Sequence, residues 1–257
     1  MSHKETIRQA FTRQANAYAA NPFITNEESL RRLVETVHPA PQAHVLDVAT
    51  GPGSIAMAFA EAGCDVIGID LTDAPLAIAE QKRKERGRER LRFQVGDAEQ
   101  LPFEDQRFDI VVSRFALHHV ETPRRMLAEM TRVCRPNGSV VINDLITSEH
   151  PARAEYQNRF ERFRDPSHTQ ALSISALLAL FTACGLEIEH ISTETRPQQL
   201  ESWLRNAHTP EQQAVEVREM LQRDSEQDLS GTRPYVQDGQ LYFSHRIALC
   251  IGRKLAH

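Results

Sequence analysis

From about residue 43 the chain alternates short apolar runs with longer stretches of helical spacing, and this alternation constrains the fold more than any other feature. Two parallel strands cannot be joined by a tight turn, so strand–helix–strand repetition implies crossover helices and a parallel sheet. HVLDVA, DVIGID, LRFQV, FDIVVSRF and SVVINDLI read as five strands. Between them lie SIAMAFAEAG, stopping at Gly63, TDAPLAIAEQKRKERG, opened by Thr72 or Asp73 and closed at Gly87, and ETPRRMLAEMTRVCRPNG, with Thr122 as N-cap, Pro123 first in the helix and a PNG stop. LEIEHIST supplies a sixth strand and QLYFSHRIALCIG a long seventh. The expected architecture is α/β: a doubly wound, mostly parallel seven-stranded sheet with an antiparallel last strand and helical insertions.

At 257 residues one domain is expected. Its parts are an N-terminal helical cap (1–40), two helices split at Asn21-Pro22; a ligand-binding half (43–145); and lid helices with the remaining strands (146–257).

The net charge of −5 disfavours a protein that neutralises phosphate backbone, so nucleic acid is not an expected partner. The basic run KRKERGRER falls in the last turn and exit of a helix, where cations suit the dipole and face water. No apolar run approaches the ~18 residues that span a bilayer, and MSHKETIRQAF lacks an apolar signal core, so a cytoplasmic protein without stable membrane insertion is expected. Cys64, Cys134, Cys184 and Cys250 are widely spaced and read as small buried hydrophobes.

VLDVATGPGSIAMAFA contains a strand, a glycine turn and a helix start, with Gly51, Gly53 and Ala56 fitting G-x-G-x-x-G/A. Such a turn serves NAD, FAD, nucleotides and S-adenosylmethionine alike. Pro52 removes one N–H from the turn, which favours a ligand without phosphate. Asp70, ending the second strand, suits two ribose hydroxyls in either cofactor class. Asp97, just after the third strand, can accept from an adenine amino group, while the Ala98 N–H meets a ring nitrogen.

Through VLDVATGPG, VIGIDLT, VGDAEQLPF, FDIVVSRFALHHV and EMTRVCRPNGSVVINDL, residues 45 to 145 resemble the class I S-adenosylmethionine-dependent methyltransferases of the UbiE-like small-molecule group. The resemblance implies a Rossmann-like methyltransferase fold and S-adenosyl-L-methionine as cofactor. It places Asp47, Ala49, Gly51 and Gly53 around the methionine end, Asp70 and Leu71 at the ribose and adenine edge, Asp97 and Ala98 on adenine, and Ser113, Arg114 and Phe115 beneath the sulfonium. The turn departs from the common Gly-Thr-Gly in having Pro52.

Methyl transfer from a sulfonium needs alignment and a dry pocket more than strong acids or bases, but a protic acceptor must lose a proton. His118 and His119 follow the fourth strand, at the ligand edge of a doubly wound sheet; one is expected to face the pocket and the other to pack. Arg164-Asp165-Pro166-Ser167-His168 either binds or deprotonates a polar acceptor, or braces its loop. Tyr18 either packs its helix or meets the cofactor's methyl end. Trp203 is expected to anchor a late helix. His118, His168 and Tyr18 are thus the catalytic candidates. Asn143-Asp144 resembles half of a catechol-type metal site, but Ser113 stands where the other carboxylate belongs, so no metal is expected. The expected activity is methyl transfer to an O, C, N or S atom of a small organic acceptor; the alternative is a cofactor-bound decarboxylase, cyclase or binding module. Oligomeric state is not legible.

Overall fold

The computed structural model describes residues 2–256. Its strands are β1 (His44–Val48), β2 (Asp65–Asp70), β3 (Leu91–Val95), β4 (Phe108–Arg114), β5 (Cys134–Ile146), β6 (Leu186–Gln199), β7 (Tyr235–Gln237) and β8 (Gln240–Lys254). They form one sheet in the order β3-β2-β1-β4-β5-β8-β6, with β7 on β8. β3, β2, β1, β4 and β5 run parallel, and β8 pairs antiparallel with both β5 and β6. The mostly parallel α/β sheet agrees with expectation. The eighth strand, β7, is an addition: Asp238 and Gly239, with φ of 51° and 73°, make a tight hairpin that folds it onto β8.

The helices are α1 (His3–Ala20), α2 (Pro22–Thr25), α3 (Glu27–Val37), α4 (Ser54–Glu61), α5 (Asp73–Glu85), α6 (Pro123–Val133), α7 (Pro151–Arg164), α8 (Ile174–Ala183), α9 (Leu200–Asn206) and α10 (Glu211–Gln227). The N-terminal region thus holds three helices rather than two. Asn21 and Asn26 cap α2 and α3, accepting from Phe23 N and Ser29 N, so the break at Asn21-Pro22 admits one extra turn. α6 stops at Val133, five residues before the expected glycine. Pro136 biases Arg135 away from helix, and Cys134 already pairs with Phe108 of β4. A Cβ at Gly138 would lie 2.7 Å from the Asp109 carbonyl oxygen, so the bulged strand leaves room only for glycine.

Strand parity divides the core. Leu46 and Val48 of β1 join Met126, Leu127 and Phe181 on the α6 and α8 side, while Val45 joins Leu33, Val34 and Phe59 on the α3 and α4 side. A third cluster packs Phe160, Trp203, Val217 and Leu221 from α7, α9 and α10 against Phe243 of β8. Trp203 lies 4.7 Å from Phe243, ring centre to ring centre, and anchors α9. Three cysteines are buried, Cys184 is half-buried, and all four are free. Among the described residues no helix is long and apolar enough to cross a membrane.

Candidate functional site

The connections from β1 and β4 diverge at the carboxyl ends of these adjacent strands, and a crevice opens there. Just beyond the strand ends, Ala49 and Phe115 hold positive φ values of 57° and 54°. Left-handed backbone at non-glycine residues costs on the order of 1–3 kcal/mol and concentrates at functional sites. Ser113 ties the two strands together here by donating from Oγ to the Val48 carbonyl at 2.8 Å.

The crevice encloses about 960 Å³, its open mouth included. Asp47, Ala49, Gly51, Asp70, Leu71, Asp97, Ala98, Arg114 and Phe115 line it, with α1 above. Asp47 is fully buried. Its Oδ2 accepts from Thr50 Oγ1 at 2.5 Å and from Ala56 N at 3.2 Å, and its Oδ1 has no partner. Burial, reinforced by the neighbouring charge of Asp70, pushes its carboxyl up to about 7. Asp70 is held by Gly51 N at 2.8 Å and Thr72 N at 2.9 Å, one on each oxygen, which fixes the carboxylate plane and leaves lone pairs over for a ligand.

Gly51 has φ of +53°, and a Cβ there would lie 3.7 Å from Tyr18 Cε1, so the turn sits directly under that ring. Gly53 lies outside the lining. A Cβ there would come within 2.8 Å of the Phe93 ring and 3.0 Å of Ala79, so this glycine packs the start of α4 against α5 and β3. Ser113, used up by Val48, also stands behind the wall. Asp97 is engaged by Lys4 of α1, which reaches Glu99 as well. Arg114 donates to Ile24 O at 2.9 Å and to Asn143 Oδ1 at 3.2 Å and lies over the Phe115 ring; burial lowers its pKa to about 10.

A second chamber of about 660 Å³, its open mouth included, adjoins the first, and Phe11, Tyr18, Ile24, Phe115 and His119 line both. Its other walls include His118, Glu161, Asp165, His168, Trp203 and His245. Burial raises the Tyr18 pKa, so its phenol stays protonated.

The hydrogen bonds settle which ring nitrogens carry protons. His118 Nδ1 forms a close pair with Asp144 Oδ1, whose carboxylate also takes the His118 and Leu145 backbone N–H groups. Burial opposes charge on His118, but the Asp144 charge outweighs it and raises the imidazole pKa; the same pairing overcomes burial to lower that of Asp144. Ser167 donates to Asp165 Oδ1 at 2.6 Å and therefore accepts from His119 Nδ1 at 3.0 Å, leaving the His119 Nε2 lone pair open. The Asn158 amide donates to Ala171 O and accepts from Ala171 N, so its Oδ1 also accepts from His168 Nε2 at 2.8 Å, leaving the His168 Nδ1 lone pair open. Burial, aided by His118, lowers His119 to about 4; burial and the charges of both neighbouring imidazoles lower His168 well below its ordinary value. One buried histidine is thus made more basic by its carboxylate partner, while burial makes the other two less basic.

Sequence reasoning missed two groups in these walls. Lys4, Ile7 and Phe11 were not read from the sequence; with the expected Tyr18 they form one stripe of α1 laid over the crevice, Lys4, Phe11 and Tyr18 recurring every seven residues. Glu161 and His245, buried and 2.7 Å apart, close the far side of the second chamber. Strand parity signalled His245: it shares its face of β8 with Phe243 and Ile247. Asp165, expected either to meet a polar acceptor or to brace its loop, holds Ser167 and thereby His119. Among the described residues no cluster of three or more His, Cys, Asp or Glu is placed to hold a metal ion.

The family described as a methyltransferase domain matches residues 46–142. The chain is 34% identical to the uncharacterized methyltransferase YcgJ of Bacillus subtilis (strain 168) over 205 residues, 80% of this chain and 81% of that protein. It is 32% identical to a demethylmenaquinone methyltransferase of Clavibacter sepedonicus, over 70% of this chain and 71% of that one. The crystal structure of the Bacillus YcgJ protein superposes with a TM-score of 0.84 at 30% identity, covering 90% of this chain and 99% of that one.

Proposed function

Because this chain belongs to the class I S-adenosylmethionine-dependent methyltransferases, we propose that it transfers a methyl group across the shared wall of its two chambers, from cofactor in the first to a small hydroxylated aromatic acceptor in the second. The observation that carries this reading is that wall: Tyr18, Phe115 and His119 belong to both chambers.

The first chamber fits the cofactor's chemistry. The unpartnered Oδ1 of Asp47 suits an ammonium group, and the backbone-held Asp70 suits a pair of ribose hydroxyls. Leu71 and Ala98 line the adenine side, and Tyr18 lies over the Gly51 turn. When bound, S-adenosylmethionine supplies an electrophilic methyl group on a positively charged sulfur.

The second chamber carries the proton chemistry. Asp144 holds His118 by Nδ1, leaving Nε2 as the ring nitrogen free to take a proton from the acceptor; the imidazolium so formed is stabilised by the buried carboxylate. His119 Nε2 and His168 Nδ1 offer lone pairs that accept from acceptor hydroxyls. Phe11, Phe23, Phe115 and Trp203 supply flat apolar walls. The aromatic acceptor class rests on those walls and agrees with the relative named for demethylmenaquinone.

Incubating the purified chain with methyl-labelled cofactor and a panel of phenols, quinols, thiols and amines tests the reading. Labelled product is expected from the hydroxylated aromatics first, and His118→Gln should reduce it at least a hundredfold. Product from none of the four classes, or undiminished turnover in the variant, contradicts it.

A further inference from the structure

Away from both chambers, the first turns of α7, the 230–233 turn and β8 enclose a notch whose walls include Arg153, Gln157, Arg233 and Arg246. Arg153 is paired with Asp228 at 2.8 Å, whereas neither Arg233 nor Arg246 has a carboxylate within 4 Å among the described residues. The notch is therefore net positive on a chain whose overall charge is −5. Gln157 adds an independent sign: it is 2% exposed, and its Nε2 has no hydrogen-bond partner. A buried donor without an acceptor is costly, and this one stands in the wall of a cavity that also carries three guanidiniums. The hydroxyls of Ser148 and Thr195 line the same cavity. Gly231, at φ +79°, brings the turn's backbone close to Arg153: a Cβ there would lie 3.6 Å from Nη1.

We infer that this notch is a second binding site, for an oxyanion of the phosphate class. The donors choose the class. They arrive from a helix, a turn and a strand, and such a spread suits the several oxygens of a tetrahedral dianion better than the two coplanar oxygens of a carboxylate, which one guanidinium can satisfy alone. The inference does not rest on the methyl-transfer reading, since no residue of the notch lines either chamber.

Thermal unfolding of the full chain, titrated with sodium phosphate and with glycerol phosphate at constant ionic strength, tests it. A ligand of the native state raises the midpoint in a saturating curve, whereas chloride at matched strength should not. The Arg233→Ala/Arg246→Ala double variant should weaken apparent affinity at least tenfold, and Gln157→Leu several-fold. Both arginines reach solvent; if the double variant misfolds by circular dichroism, Arg246→Gln alone serves and should still weaken binding. Equal binding of the two compounds assigns free phosphate, and preference for the ester assigns a phosphomonoester. A rise that never saturates, or one unchanged in the arginine variants, overturns the site.

Discussion

Lys4 Nζ lies 2.5 Å from Asp97 Oδ2 and 2.9 Å from Glu99 Oε2, so the first turn of α1 is tied to the loop after β3 at the rim of the first chamber. All three side chains retain some solvent contact, and ion pairs of this kind are worth about 0–1 kcal/mol, enough to bias a rim contact but not to lock it. Lys4→Met should therefore speed both entry and exit of S-adenosylhomocysteine several-fold while leaving its Kd within about fivefold, from the ~1 kcal/mol ceiling. Stopped-flow binding measures this. An unchanged association rate would show that α1 does not gate the crevice.

The His118–Asp144 pair predicts a pH profile. A histidine raised above its ordinary 6.5 acts as a base only above its own pKa, so kcat should rise with pH through a limb lying above 6.5. Asp144→Asn removes the charge that raises it. The limb should then shift to lower pH while the plateau rate falls, because the ring loses its orienting acceptor. A limb that stays in place in Asp144→Asn assigns it to another group.

Asp47 sets stability against binding. Its folded-state pKa of about 7 lies above the ordinary 3.8, so the folded chain holds this proton more tightly than the unfolded one. The resulting penalty is absent below pH 4, grows as pH rises from 4 to 7, and is fully present above. Its ceiling is on the order of 4 kcal/mol, taking 1.36 kcal/mol per pKa unit. Asp47→Asn, which keeps an acceptor for Thr50 and Ala56, should raise stability at pH 8 by ~1–2 kcal/mol, well under that ceiling because the new amide N–H is left unpaired. It should give no gain near pH 4 and should abolish cofactor binding. Chemical denaturation at both pH values checks this; equal effects at the two would remove Asp47 as the source.

His168 is held by Asn158 and lines the second chamber. His168→Ala should lower turnover more than tenfold with S-adenosylhomocysteine affinity preserved. Steady-state kinetics beside calorimetry separates the two, and unchanged turnover removes His168 from the reaction.

The first chamber, proposed to hold the cofactor, can be traced in the sequence because its signals are local. Strand parity, the glycine turn and the acidic residues at strand ends are set within a few residues of one another. Even there Gly53 and Ser113 stand outside the crevice lining: Gly53 packs against Phe93 and Ala79, and Ser113 bonds Val48, which spacing does not reveal. The acceptor chamber was far less legible. His118 meets Asp144, His119 meets Ser167, and Glu161 meets His245 across separations of 26, 48 and 84 residues. The first depends on how the turn after β4 meets β5, and the other two on how α7 and the loop after it lie on the sheet. The missed hairpin is different: Asp238-Gly239 is a local turn signal, overlooked because β7 is only three residues long.

A crystal structure of the chain soaked with S-adenosylhomocysteine bears most directly on the account. The expected density has its amino group on Asp47 Oδ1, its ribose on Asp70 and its sulfur against the Tyr18, Phe115 and His119 wall, facing the second chamber. Density elsewhere, or a sulfur turned away from that wall, would contradict transfer between the two chambers.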